Sequence, residues 1–350
     1  MPKQKIFLLI ILFLLSFNCI AQRNTLVTVI KRESIFEHAP FEACHASTLC
    51  ELKKGTIMAA WFGGKHEGSN DVAIWIATQE HGKWSTPIKI ATGITSNNLP
   101  IACWNPVLFK TRNGTLFLHY KVGANPRAWW AEYKISNNDG KTWSAAKKLP
   151  QGFLGPIKNK PVQLKNGTIL YPSSTESLDE KTWKIHIEKS DSDVKNWKKI
   201  EINCDTFGVI QPSILSYPNG KLQLLCRSRQ NVIVESWSED NGENWSKLSA
   251  TTMPNPNSGS DAVTLADGRQ LLIYNPLISG KNWWEGRSIL KLAISADGKN
   301  WQDIYTLEKH DKGEYSYPAI IQDKKGNIHL TYTAERKKIN YAEIKLSTGL

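Results

Sequence analysis

The chain has 350 residues and carries 44 Lys and Arg against 32 Asp and Glu, a formal net charge of +12. Such a basic surface suits nucleic acid, a membrane surface or an acidic glycan, but the sequence holds no nucleic-acid-binding module and no cysteine pair with zinc-finger spacing. Nucleic acid as a partner, and zinc or any other metal or cofactor, are therefore not expected.

Lys3 and Lys5 precede an apolar run from Ile6 to Phe17, and Cys19-Ile20-Ala21 offers a signal-peptidase end before Gln22. The run is too short for a stable membrane span, so residues 1–21 read as a signal peptide and 22–350 as one domain. Export to the periplasm or the medium follows, with lipid attachment at Cys19 as the outer-membrane alternative. Cys44, Cys50, Cys103, Cys204 and Cys226 then remain. This odd, sparse set reads as buried thiols in a monomer, not as a disulfide framework.

Six turn glycines each precede an apolar strand: Gly55 in KKGTIMAAW, Gly114 in RNGTLFLHY, Gly167 in KNGTILYPS, Gly220 in PNGKLQLLC, Gly268 in ADGRQLLIY and Gly326 in KKGNIHLTY. Their separations, 48 to 59 residues, match one four-stranded blade. A second punctuation is interleaved: SEDNGENW ends at Trp245, SNNDGKTW at Trp143, and looser forms end at Trp84, Trp197 and Trp301. Short Asp or Asn side chains hold such turns and the indole packs beneath the hairpin. The spacing predicts an all-β, six-bladed β-propeller, with the glycine strands innermost and Leu26 to Ile30 as the strand that closes the ring.

Before each glycine strand stands a polar residue: His45, Asn105, Lys160, Gln211, Asp261 and Tyr317, four of them followed by proline. Proline at a strand's first position removes no central ladder bond. This ring would line the axial mouth, either as a hydrogen-bonded plug or as a glycan pocket.

These motifs resemble the sialidase-like BNR/Asp-box family over nearly the whole chain after the leader. Sialidases of that family are six-bladed propellers that bind a carboxylate through three arginines, with a tyrosine–glutamate nucleophile and an aspartic acid/base. The resemblance implies that Arg227 in LLCRSRQ is the second arginine, Arg287 in EGRSILKLAIS the third, and Tyr315 in EYSYPAII the tyrosine. The sequence departs from the pattern at His45, in place of the first arginine, and at Gln211, in place of the glutamate. Its loop WFGGKHEGSNDV offers His66, Glu67 and Asp71 without a matching aspartate.

Glycoside hydrolysis needs an acid near the leaving oxygen and a nucleophile below the sugar. Glu67, with His66 beside it, is the favoured acid/base, and Asp71 is the second candidate. Tyr315 is the candidate nucleophile, with Glu314 or His45 as its base. Lys121, Lys158, Lys160, Arg227, Arg229 and Arg287 supply cations that grip a carboxylate or sulfate. Asn105, Gln211, Asp261 and Tyr317 add polar contacts, and Trp104, Trp129, Trp130, Trp283 and Trp284 add stacking surface. The expected function is exo-acting release of a terminal acidic sugar from an oligosaccharide or polysaccharide. A uronate lyase and a non-catalytic glycan-binding propeller are the alternatives.

Overall fold

The structure is a computed structural model that describes residues 25–282 and 284–348. Within them the strands form six antiparallel sheets arranged as the blades of a propeller. The predicted signal peptide, residues 1–21, and with it Cys19 lie outside the described residues. Among the described residues no helix is long and apolar enough to cross a membrane.

The innermost strands are Ala43–Glu51, Cys103–Lys110, Val162–Gln163, Val209–Ser216, Asp261–Thr264 and Tyr315–Gln322. Each turn glycine lies after its blade's innermost strand, so the glycine-led strands, such as Ile57–Gly64 and Leu222–Ser228, are second in their blades and not innermost as predicted. The reason is covalent. A tight turn joins two neighbouring strands, and its glycine marks the end of one as well as the start of the next; Gly114 takes φ 93° and Gly326 φ 87° there.

All five tryptophan-ended turns link a blade's third strand to its fourth. In the blade-four turn, Asp240 accepts from the Asn244 and Glu243 amides at 2.9 and 3.1 Å, and the Trp245 indole donates to the Gly242 carbonyl at 3.1 Å. Those amide bonds, led by Asn244, hold the Asp240 carboxyl down at about 2. The Asn241 amide donates to the Gly220 carbonyl at 3.2 Å, so glycine turns and tryptophan turns share one face. The opposite face is the mouth.

Thr25–Ser34 pairs antiparallel with Lys338–Thr348 and forms the outermost strand of blade six, which contains the predicted closing segment. Apolar residues pack between neighbouring blades: Phe62 and Ile74 of blade one lie in one cluster with Leu108 and Tyr120 of blade two, and Leu271 and Leu292 of blade five with Leu330 and Ile344 of blade six. All five described cysteines are buried and free.

Candidate functional site

Nine residues before each turn glycine stand Ala46, Asn105, Lys158, Gln211, Gly259 and Tyr317. Four of them take positive φ without being glycine, Ala46 at 53°, Asn105 at 38°, Gln211 at 55° and Tyr317 at 50°. The ladder register slips at those points, between His45 and Thr48, Trp104 and Val107, Ile210 and Ser213, and Ser316 and Ala319. A bulge of this kind bends the strand and re-aims a side chain. The ring in register therefore corrects the predicted one at three places: His45 stands one position early, and Lys160 and Asp261 two positions late.

Lys160 and Asp261 form an ion pair at 2.8 Å. Asp261 also accepts from the Ser213 hydroxyl at 3.1 Å and from the Ile320 amide at 3.0 Å. These bonds join blades three, four, five and six, and Lys160 also lines a depression on the far face beside Lys53 and Lys110. Both residues close the axis and do not line the mouth. Above them Lys158 is buried, its ammonium donating to the Asn159 side-chain oxygen at 2.9 Å and to the Ser260 and Pro318 carbonyls at 3.1 and 2.7 Å. The Asn159 amide donates to the Gln211 carbonyl at 3.0 Å. One dipeptide of blade three thus holds the bulges of blades four and six. A Cβ at Gly259 would stand 2.8 Å from the Lys158 Cε, so glycine makes room for that crossing.

The other level of the site lies seven residues after each turn glycine, where the second strand reaches the next blade. Lys121 donates to the Pro156 carbonyl at 2.7 Å, Asn275 to the Tyr315 carbonyl at 2.8 Å, and His45 Nδ1 lies 3.0 Å from the Thr333 hydroxyl. Lys121 is fully buried and its ammonium is pushed down to about 7 by burial, so it is a blade-joining residue and not a sugar ligand. Arg227 occupies the same position in blade four, and its longer side chain reaches the mouth.

Arg227 donates through Nε to the Asn257 side-chain oxygen at 2.7 Å and through Nη1 to the Tyr317 hydroxyl oxygen at 2.5 Å and the Gln211 oxygen at 3.5 Å. Arg287 donates to the Asn257 carbonyl at 3.1 Å and to Glu314 at 2.9 Å, and its guanidinium lies 5.9 Å from the Tyr317 ring. Both arginines are thus held by Asn257 around Tyr317. His45 packs on the same ring with centroids 4.1 Å apart. Burial first, then Arg336, Arg287 and Lys158, push its imidazole well below the usual range despite Glu314, so it is neutral. Its Nε2 is buried and has no hydrogen-bond partner among the described residues.

Tyr315 goes elsewhere. Its ring stacks on His310 at 4.1 Å, and burial, Glu335 and Glu308 push its hydroxyl up. In a regular strand residues 315 and 317 would share a face; the bulge at Tyr317-Pro318 separates them, and the phenol beside the arginines is that of Tyr317. The expected convergence of Tyr315 with Arg227 and Arg287 is corrected accordingly. Asp71 accepts from the Lys65 amide at 2.9 Å and the Ser69 hydroxyl at 2.7 Å, which ties off its own exposed loop. Asn105 is buried at the blade-two bulge. Arg229 lies 4.1 Å over Trp183 and donates to the Lys181 carbonyl at 3.3 Å, on the blade-three hairpin. Trp104 donates to the Gly123 carbonyl at 2.7 Å with Trp129 against it, while Trp130 donates to Glu132 on a third strand. Half-exposed Trp284 borders a depression of about 700 Å³ that Glu314 and Arg336 also line; Trp283 lies outside the described residues.

Two mouth residues were missed in the sequence reading, Asn257 and Arg336. Arg336 sits in the tight turn between Ile328–Ala334 and Lys338–Thr348, with φ 54°. It donates to Glu314 at 2.8 and 3.3 Å and also to Glu67. Burial pushes the Glu314 carboxyl up, but His45, Arg336 and Arg287 outweigh it and hold the group at about 2. With His45 neutral, the two guanidiniums carry that effect. Among the described residues no group of three or more His, Cys, Asp or Glu is placed to hold a metal ion.

The BNR repeat-like domain model matches residues 55–330. The chain belongs to the BNR repeat-like family. No protein of curated function matches this BNR propeller in sequence. Among solved structures it is similar to a Dyadobacter fermentans protein described as of unknown function, at 16% identity and TM-score 0.74, covering 92% of this chain and 99% of that one. The Ruminococcus gnavus intramolecular trans-sialidase is 15% identical at TM-score 0.67, over 87% of this chain and 95% of that one. The Streptococcus pneumoniae sialidase NanB is 14% identical at TM-score 0.68, over 90% and 70%. At these identities the likeness is one of fold.

Proposed function

We propose that the BNR propeller binds a terminal acidic sugar of a glycan at the axial mouth and cleaves it there by hydrolysis. The observation that carries this reading is the pair of guanidiniums, Arg227 and Arg287, held by Asn257 around one phenol. Fixed cationic donors in a site sheltered from water favour a carboxylate and the charge that develops on a reacting oxygen. Arg227 faces the mouth, and Arg287, only 1% exposed, backs it.

Tyr317 is the nucleophile in this reading. Arg227 donates to its oxygen, and neutral His45 packed on its ring accepts the proton, a task Gln211 cannot perform. Glu67, on the loop beside Arg336, serves as acid/base toward the leaving group. Sialidase relatives of the same fold make an acidic sugar the natural substrate class. Incubation with sialylated and glucuronylated oligosaccharides tests the reading: Tyr317→Phe should fold and bind but lose most turnover, while Tyr315→Phe should keep it. Retained turnover in Tyr317→Phe would remove the phenol from the chemistry.

The open Nε2 of neutral His45 favours one second reading, proton abstraction beside a uronic carboxylate by a lyase. An unsaturated product end would select it over hydrolysis. Binding without turnover would select a glycan-binding module.

A further inference from the structure

Of the three guanidiniums at the mouth, Arg287 is 1% and Arg227 8% exposed, whereas the Arg336 side chain is 25% exposed. An anion arriving from solvent therefore meets Arg336 first. Two carboxylates pair with it, and they differ sharply. Glu314 is 13% exposed and is also held by Arg287 at 2.9 Å and by the Ser316 hydroxyl at 2.8 Å. Glu67 is 38% exposed and, among the described residues, its carboxylate is held by Arg336 alone.

We propose that Glu67 is a stand-in for substrate: it occupies the outer face of Arg336 until the carboxylate of an acidic sugar displaces it. The exchange rests on the acidic-sugar reading above and specifies which contact admits that sugar. An exposed ion pair gains little over its separated, hydrated partners, so one carboxylate replaces another on Arg336 at small cost. Glu314, with three donors in a sheltered position, keeps its place as the fixed counter-charge between Arg287 and Arg336. The loop that carries Glu67 need not unfold. Asp71 ties it to Lys65 and Ser69, the His66 amide donates to the Ser69 hydroxyl at 3.1 Å, and Gly68 lies against Trp104, where a Cβ would meet the ring at 3.3 Å. Rotation of the Glu67 side chain suffices. The same movement releases Glu67 from its cation at the moment the sugar arrives, which places a free carboxyl beside the bound ligand.

Calorimetric titration of the full chain with the methyl glycosides of glucuronic acid and N-acetylneuraminic acid, with their methyl esters as neutral controls, tests the exchange. Glu67→Gln should bind at least one acid several-fold more tightly than the wild type and leave ester binding unchanged. Arg336→Gln should weaken acid binding toward that of the ester, and Arg336→Lys, which keeps the charge and the turn, should lie between. Thermal melts of each variant establish that it is folded. Acid binding lost in Arg227→Gln but unaltered in both Glu67→Gln and Arg336→Lys would overturn the exchange and leave the acidic-sugar reading standing. No acid binding by either the wild type or Glu67→Gln would overturn both. Binding that appears only in Glu67→Gln would support the exchange directly.

Discussion

At the scale of single residues the site is a charge balance. Glu314 sits between Arg287 and Arg336, and its carboxyl is held at about 2, below its ordinary value. A group depressed in the folded state contributes stability that is present above its ordinary range and lost as pH falls through its folded value. Glu314→Gln leaves buried Arg287, and Arg336 beside it, short of a counter-charge and should cost about 3 kcal/mol at neutral pH. Chemical denaturation across pH should show that deficit closing between the ordinary carboxylate range and about pH 2. A deficit constant over that window would mean that Glu314 is not held ionised by its neighbours. Arg227 was legible in the sequence because its distance from a turn glycine fixes its height in the blade. Tyr317 was legible as a mouth residue from the same spacing, but not as the phenol beside the arginines, because a bulge undoes the alternation by which Tyr315 and Tyr317 would share a face. Arg336 escaped for another reason, since a basic tight turn reads as a solvated one.

At the scale of elements, the innermost strands are held by the Lys158-Asn159 crossing, which reaches blades four, five and six. Burial pushes the Lys158 ammonium down to about 7 against the pull of Asp261. The folded chain therefore binds fewer protons than the unfolded one between about pH 7 and the ordinary lysine range, and stability rises with pH there. Buried Lys121, also near 7, acts in the same direction. Thermal midpoints should climb across this window in the wild type and less steeply in Lys158→Met. Parallel curves would contradict a buried, proton-poor Lys158. Gly259→Ala should cost about 1–3 kcal/mol by overpacking, because its Cβ meets the Lys158 Cε at 2.8 Å and the Gln211 oxygen at 3.3 Å; an unchanged denaturation midpoint would show that the crossing yields. The glycine period made the blade number legible, since it counts hairpins. It could not say which strand of each hairpin faces the axis, because hairpin turns look alike from either side.

At the scale of the whole molecule, closure depends on Thr25–Ser34, which completes blade six from the other end of the chain. Removing residues 25–34 exposes the edge of Lys338–Thr348 and should lower the thermal midpoint and broaden the transition, which calorimetry reads. A sharp transition at the wild-type temperature would show that the ring holds without it. The ring matters because the mouth draws on several blades: Arg227 from blade four, Asn257 and Arg287 from blade five and its approach, Tyr317 and Arg336 from blade six, His45 and Glu67 from blade one. The most direct test is mass-spectrometric product analysis of sialylated, glucuronylated, ulvan-type and pectic oligosaccharides incubated with the wild type and with Arg227→Ala and Tyr317→Phe. Release of a terminal acidic monosaccharide by the wild type, and by neither variant, is expected; release of neutral sugars alone, or of the acidic sugar equally by all three proteins, would contradict an anion-binding catalytic mouth around Tyr317.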